Sequence, residues 1–335
     1  MNNILNCAVI GLGIGEQHAQ ALLKHPKATL AAICELDEKK AYNFLHKNNL
    51  SSSLKKSFSE ILEDKNINLV SIASFDDAHF EQVIACLKQG KHVFVEKPLC
   101  QTQEQLEEIY DLWKKSGLAL SSNLILRKSP LFEWLDKSIH AGEFGRIYAI
   151  DMDYLYGRVH KITKEWRSTI DDYSVMAGGG IHLIDLMTRF LGKNPIKVQS
   201  SINKIATQNT PFRYHDFHAA TFYFQDGVIG RITANFGCMH KHQHVVRVFG
   251  DRATFIYDDK GARLHRHRDE NAIAESINFS AKVEDKGALL TDFIDTIFSN
   301  DIKNTNIEFD VMSAVIAADQ AIKNQHCPID IAYLN

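Results

Sequence analysis

At 335 residues the chain is long enough for about two domains, and for a core that needs no disulfide or metal to hold it together. Its 38 Lys and Arg against 41 Asp and Glu leave a net charge of −3, which argues against a general nucleic-acid binder. With 45% hydrophobic and 24% charged residues, the composition is that of an ordinary soluble globular protein.

Residues 4–10 form a β-branched apolar run stopped by Gly11, which predicts a buried strand. Residues 17–25, with Ala19, Leu22 and Leu23 on one face, predict a helix. Strands at 29–34, 69–73, 92–95 and 118–122 then alternate with helices at 38–47, 78–89 and 102–116. Strands apolar on both faces and separated by helices predict an α/β first domain over 1–123, built on a doubly wound parallel sheet.

From 124 to 335 the pattern changes. A helix at 130–140 precedes an alternating strand at 146–156. Residues 220–225 and 228–233 flank Asp226-Gly227, a two-residue hairpin signal, and 245–249 and 253–257 flank Gly250-Asp251-Arg252 in the same way. Consecutive hairpins predict an antiparallel meander. The second domain is therefore α+β, with a large, mostly antiparallel sheet whose open face is available to a substrate or a second subunit. Residues 258–284 read as a polar loop or variable hairpin, and 289–298 and 311–323 as closing helices.

No 18 apolar residues run together without charge, and Met1-Asn2-Asn3 carries no cationic leader, so neither a membrane span nor a targeting signal is expected. The six Cys contain no C-x-x-C pair and read as reduced thiols of a cytoplasmic protein.

Gly11-Leu12-Gly13-Ile14-Gly15 lies between the first strand and the first helix, the context that gives a glycine pattern chemical meaning. Gly11 would allow the tight turn and Gly13 the close approach of backbone to a pyrophosphate at the helix N-terminus. The usual third glycine position is Glu16, with Gly15 one place early, so the loop is shortened. Glu35 ends the second strand, 24 residues after Gly11, where a carboxylate accepts hydrogen bonds from ribose hydroxyls and repels a 2′-phosphate. Leu36 follows it, not an Arg, so NAD is favoured over NADP.

Gly90-Lys91-His92-Val93-Phe94-Val95-Glu96-Lys97-Pro98-Leu99 closely resembles the G-K-H-V-x-x-E-K-P-L signature of the Gfo/Idh/MocA oxidoreductases, the relatives of glucose–fructose oxidoreductase and inositol dehydrogenase. The resemblance runs through the glycine loop, the segment from Ala73 to His79, Arg127 with Pro130, Trp166-Arg167, His182-Leu183-Ile184-Asp185 and Asp226-Gly227, and so covers nearly the whole chain. It implies a Rossmann first domain and NAD contacts at Gly11, Gly13, Ile14, Gly15, Glu35, Ser74, His79, Glu96 and Lys97. It further implies that Lys97 contacts the reacting hydroxyl, before a Pro98 that is often cis. His182 takes the position of the catalytic acid/base, and a base titrating near neutrality is what hydride loss from an alcohol requires. Asp185, at i+3, shares its helix face and could orient the imidazole or hold a sugar hydroxyl.

Arg127, Trp166, Arg167 and Tyr173 complete the expected substrate contacts. One departure stands out: family members often carry an Asp four residues before the His, and here that residue is Gly178. Either the substrate loses a carboxylate contact, or Asp171, Asp172 or Tyr173 replaces it. His240, His242 and His244 could share a strand face, but i, i+2 side chains rarely converge on one ion and no metal site is expected. With Arg247, Arg263, His265, Arg266, His267 and Arg268 they read instead as an exposed basic strip.

The resulting expectation is an NAD-dependent oxidoreductase acting on a secondary alcohol or ketone of a sugar, polyol or nucleotide sugar, assembled as a homodimer or homotetramer. The alternatives are a non-catalytic NAD or sugar sensor, which Gly178 favours, and a redox-neutral NAD-dependent glycosidase of the same fold.

Overall fold

The computed structural model describes residues 4–50, 54–299, 306–324 and 327–334, so Met1-Asn2-Asn3 lies outside the described residues. The chain divides into two units, Met1–Ile125 with Glu284–Phe309, and Leu126–Val283 with Asp310–Asn335.

The first unit holds β1 (Leu5–Ile10), α1 (Gly15–Lys24), β2 (Ala28–Cys34), α2 (Glu38–Lys47), α3 (Phe58–Glu63), β3 (Leu69–Ile72), α4 (His79–Lys88), β4 (His92–Val95), α5 (Gln103–Ser116) and β5 (Leu120–Ser122). Its five strands are all parallel in the order β2-β1-β3-β4-β5. The strand order reverses between β1 and β3, the crevice where open α/β sheets bind ligands. Local signals place the helices: the Asp37 side chain caps α2, and a Thr102–Gln105 capping box opens α5, which Gly117 closes at φ +67°.

The apolar strand runs are buried with Leu22 of α1, Phe94 of β4 and a late helix whose Leu290, Phe293 and Ile294 join this core. That helix was expected in the second domain. Its register explains the difference, because the three side chains lie one turn apart and turn one apolar face to this core, and Gly287 just before it faces Ala21.

The second unit contains α6 (Pro130–His140), β6 (Ile147–Leu155), α7 (His160–Thr163), α8 (Ile181–Leu191), β7 (Lys197–Asn203), β8 (Phe217–Tyr223), β9 (Ile229–Asn235), β10 (Gln243–Gly250), β11 (Thr254–Asp258), β12 (Gly261–His265) and β13 (Glu275–Ile277). The late helix is α9 (Ala288–Ser299), followed by α10 (Asn306–Gln320) and β14 (Ile329–Asp330). Nine strands form one sheet in the order β13-β12-β11-β10-β6-β9-β8-β7-β14.

The mostly antiparallel, open-faced sheet is as expected, but the meander is not. β6 inserts between β9 and β10 and pairs with β9 in parallel. Both hairpins form where expected: Gly227 turns at φ +86° between β8 and β9, and β10 pairs with β11. Within 258–284, β12 and β13 extend the sheet, so the stretch read as a polar loop or variable hairpin is partly strand. On β6, Ile150, Met152 and Tyr154 are buried on the side that α8 covers, while Asp151 and Asp153 point to the open face.

Candidate active site

In the first unit the glycine loop does three separate jobs. Gly11 turns at φ +78°, and a Cβ there would come within 2.5 Å of the Ala73 carbonyl oxygen, so the turn after β1 is pressed against the one after β3. A Cβ on Gly13 would meet nothing of the protein, which leaves the backbone open to a ligand. A Cβ on Gly15 would come within 2.9 Å of the Ala73 Cβ and 3.0 Å of Val9 Cγ1, so the early third glycine serves close helix–strand packing. Ile14 occupies the N-cap of α1 without a side-chain cap, leaving the first N–H groups available to a phosphate.

Glu35 is fixed beside this loop. Its Oε2 accepts from the Leu12 N–H (2.6 Å) and its Oε1 from the Asp37 N–H (3.0 Å). Lys39, Lys40 and Lys47 line a neighbouring cavity of about 290 Å³, and Lys40 Nζ lies 3.7 Å from Glu35. An open phosphate-ready turn and an oriented carboxylate at the end of β2 fit a dinucleotide.

Ser74 and His79 follow β3. Ser74 Oγ donates to Gln82 Oε1 (2.7 Å). His79 is fully buried, with Nδ1 2.7 Å from the Pro98 carbonyl and Nε2 3.3 Å from that of Ser74, so it ties this loop to the turn after β4. In that turn the Lys97-Pro98 peptide is cis.

Glu96 sits in a network that sequence reasoning missed: Asn123 Nδ2 donates to its Oε1 (2.6 Å) and His18 Nε2 lies 3.2 Å away, with His18 Nδ1 against Ser71 Oγ (2.9 Å). Burial pushes the Glu96 carboxyl up, but hydrogen bonds from His18 and Asn123 and the charge of Lys97 outweigh it and hold it below the usual range. Lys91 of the same motif is structural: it is buried and donates to the carbonyls of Asp64 (2.8 Å) and Ile67 (3.0 Å).

In the second unit His182 stands at the start of α8, 7% exposed. The Tyr154 ring stacks on it at 6.5 Å and 22°, and His244 meets it edge-on at 6.5 Å. The approach to α8 is a π-helical turn, Met176–Gly180, whose last three residues are glycines. A Cβ at Gly178 would overlap the Tyr173 hydroxyl, one at Gly179 would lie 2.5 Å from Tyr154 Cε1, and one at Gly180 would strike Met176 Sδ. Tyr173 is thus the residue that fills the space next to Gly178. Asp171 is exposed instead and faces Arg213 (3.6 Å). Arg167 lies 4.2 Å over Trp166 and its Nε donates to the Tyr173 hydroxyl (3.1 Å).

Asp185 and Arg127 find each other. Arg127 Nε donates to both carboxylate oxygens (3.0 Å each) and its second terminal nitrogen to Oδ1 (2.7 Å), with Asp185 fully buried. The carboxylate expected to orient His182 or hold a sugar hydroxyl is engaged by this pair.

The expected basic strip is not continuous. His242 and His244 turn inward to Tyr154, at ring distances of 5.2 and 5.1 Å. Burial, with His242 and Arg158 adding to it, pushes His244 down to about 3. Four of the others have acids opposite: His240 with Asp259 (2.8 Å), Arg247 with Asp153 (3.1 Å), Arg263 with Asp258 (2.8 Å) and Arg266 with Glu143 (2.6 Å). The period-2 spacing of 242 and 244 signalled a shared face; their register opposite Tyr154 did not show in the sequence. Among the described residues no three His, Cys, Asp or Glu gather as metal ligands.

Two family models match the chain: an oxidoreductase family with an NAD-binding Rossmann fold over residues 5–124, and the Gfo/Idh/MocA C-terminal domain over residues 132–256. A myo-inositol 2-dehydrogenase of Thermotoga maritima is 24% identical over 269 residues, 76% of this chain and 75% of that protein. The scyllo-inositol 2-dehydrogenase (NAD(+)) of Bacillus subtilis is 26% identical over 278 residues, 80% of this chain and 77% of its own. A levoglucosan dehydrogenase solved in complex with NADH shares the fold at a TM-score of 0.84 and 19% identity, over 98% of this chain and all of that one. With both halves matched by its family models, the chain belongs to the Gfo/Idh/MocA oxidoreductases and carries their NAD-binding Rossmann domain.

Proposed function

We propose that the chain is an NAD-dependent dehydrogenase or reductase acting on a secondary alcohol or ketone of a sugar, polyol or nucleotide sugar. The observation that carries the reading is the stacked, nearly buried His182 at the head of α8, in a chain whose other unit keeps an uncapped helix beside an oriented Glu35. The inositol and levoglucosan dehydrogenases among its relatives support a polyhydroxylated substrate.

Bound NAD would supply the hydride acceptor. The chain supplies the rest. His182 takes the hydroxyl proton as the carbon–oxygen double bond forms, and returns it in the reverse direction. Lys97 donates a hydrogen bond to the same oxygen and stabilises the negative charge that develops there. Glu35 accepts from the ribose hydroxyls, the glycine loop and the first turn of α1 hold the pyrophosphate, and Ser74, His79 and Glu96 set the loops around Lys97.

Buried thiols support a reducing, cytoplasmic setting: Cys7, Cys34, Cys86 and Cys100 are buried and free, and burial pushes Cys7 and Cys86 up to about 12. The open sheet face, laced by Arg231 with Asp151 and Arg247 with Asp153, supports pairing of a second copy there.

The reading is tested by supplying NAD or NADH with a panel of sugars, polyols, sugar acids and nucleotide sugars while following nicotinamide absorbance and product mass. Net cofactor turnover with one class is expected. Hydrolysed product without cofactor change would assign a redox-neutral glycosidase instead, and tight NADH binding with no chemistry on any compound would assign a sensor.

A further inference from the structure

The surroundings of His182 carry more positive charge and more aromatic surface than proton transfer requires. Tyr154 stacks on His182 and also on Tyr156 (5.9 Å) and Phe236 (5.5 Å). Two guanidinium groups approach this cluster. Arg167 lies over Trp166 and donates to Tyr173, and Arg158 lies 5.6 Å over the Tyr156 ring with a terminal nitrogen 3.4 Å from His242 Nδ1. Arg158 reaches the Tyr154 cluster through His242, whose ring lies 5.2 Å from Tyr154, and Arg167 reaches it through Tyr173, whose ring lies 6.3 Å from Phe236. Arg158 is exposed and has no ion-pair partner among the described residues.

Of the acceptors on the same ground, Asp172 stands exposed beside Tyr173, its carboxyl pushed up by partial burial and the Asp319 charge, and others are engaged or shut out. Tyr173 closes the space at Gly178, where any side chain would overlap its hydroxyl, so that position offers no carboxylate. Asp185 is held by Arg127, and Glu165 by Lys161 (2.9 Å). A guanidinium has no acceptor to give a sugar hydroxyl, but its planar fork matches an oxyanion. Charge-assisted contacts of this kind are about twice as strong as neutral ones.

We propose that the second unit takes a sugar or polyol bearing an anionic group, a carboxylate or a phosphate, gripped by Arg158 and Arg167 with the half-buried Trp166 ring against the carbohydrate. This names the substrate class of the proposed dehydrogenase and rests on that reading.

The test titrates the NADH-loaded protein with glucose, glucuronate and glucose 6-phosphate at low and high salt, by calorimetry, with initial rates of NADH formation measured alongside. At least one anion is expected to bind about tenfold or more tightly than glucose, as charge-assisted hydrogen bonds imply, and to lose that advantage in salt. The favoured compound tells carboxylate from phosphate. Arg158→Gln, at an exposed position, is expected to cut the advantage to about threefold or less, and Arg167→Gln likewise. Glucose bound as tightly as the better of the two anions, no sugar bound at all, or an advantage that survives in both variants would overturn the anion site. Turnover of neutral sugars without an anionic advantage would overturn this inference and leave the dehydrogenase standing. Arginine-dependent anion binding with no NADH formation from any sugar would do the reverse.

Discussion

Arg127 and Asp185, 58 positions apart, are the clearest case of chemistry spent inside the protein rather than on a ligand. Removing one partner of a buried ion pair leaves the other charge unpaired, at a cost of about 3–5 kcal/mol. Arg127→Ala or Asp185→Asn is therefore expected to lower the unfolding free energy from urea titration by an amount of that order, whereas a pure substrate contact would leave stability alone. Glu35 should act on the ligand side. Glu35→Gln keeps an acceptor for the Leu12 N–H but removes the charge that repels a 2′-phosphate. The ratio of NAD to NADP affinity is expected to fall by about tenfold, one charged contact's worth; an unchanged ratio would place specificity elsewhere. Lys97, His182 and Glu35 stood out in the sequence as candidates because each stands at a fixed offset from a turn or a motif. The partners of Glu96 (His18, Asn123) and of His182 (Tyr154, His244) were not, because they arrive from distant segments that only the folded sheets bring near.

At the level of elements, the turn Met176–Gly180 shows sequence constrained by a neighbour it does not touch in the chain's order. Gly178→Ala is expected to destabilise the second unit by about 1–3 kcal/mol, the usual cost of overpacking. In a Tyr173→Ala background, where the overlapped hydroxyl is gone, the same substitution should cost much less, and a double-mutant cycle on thermal unfolding reads the difference. Equal costs in both backgrounds would mean that helix geometry, not Tyr173, demands the glycine. The two hairpins and the strand–helix alternation were readable because turn chemistry and periodicity are local. The insertion of β6 between β9 and β10 was not, since strand order in a sheet depends on which distant edges pair. The late helix α9 joined the first unit for a similar reason: its apolar face carries no mark of which core it will enter.

For the whole molecule, acid is the condition that should find the weak points. The folded chain holds His244 at about 3, below the ordinary imidazole value of about 6.5, so between those values the unfolded chain binds a proton that the folded one refuses. Stability should then fall as pH drops through that window, by at most about 1.4 kcal/mol per unit, and be level above about pH 7. His182, His242, Arg158 and Tyr154 surround the group and keep the proton out. Glu96 adds a loss at the acid end, because a depressed carboxyl contributes above its unfolded value and is lost as pH falls through its folded one. Urea midpoints at pH 5 and pH 7.5 should differ clearly in the native protein and less in His244→Gln.

The measurement nearest to the chemistry compares kcat for NADH formation by the native protein and by His182→Ala on whichever sugar is turned over, with NADH affinity determined for both. If His182 is the base, kcat falls by about 10²–10⁴ while NADH affinity stays the same. An unchanged kcat in His182→Ala would contradict its role.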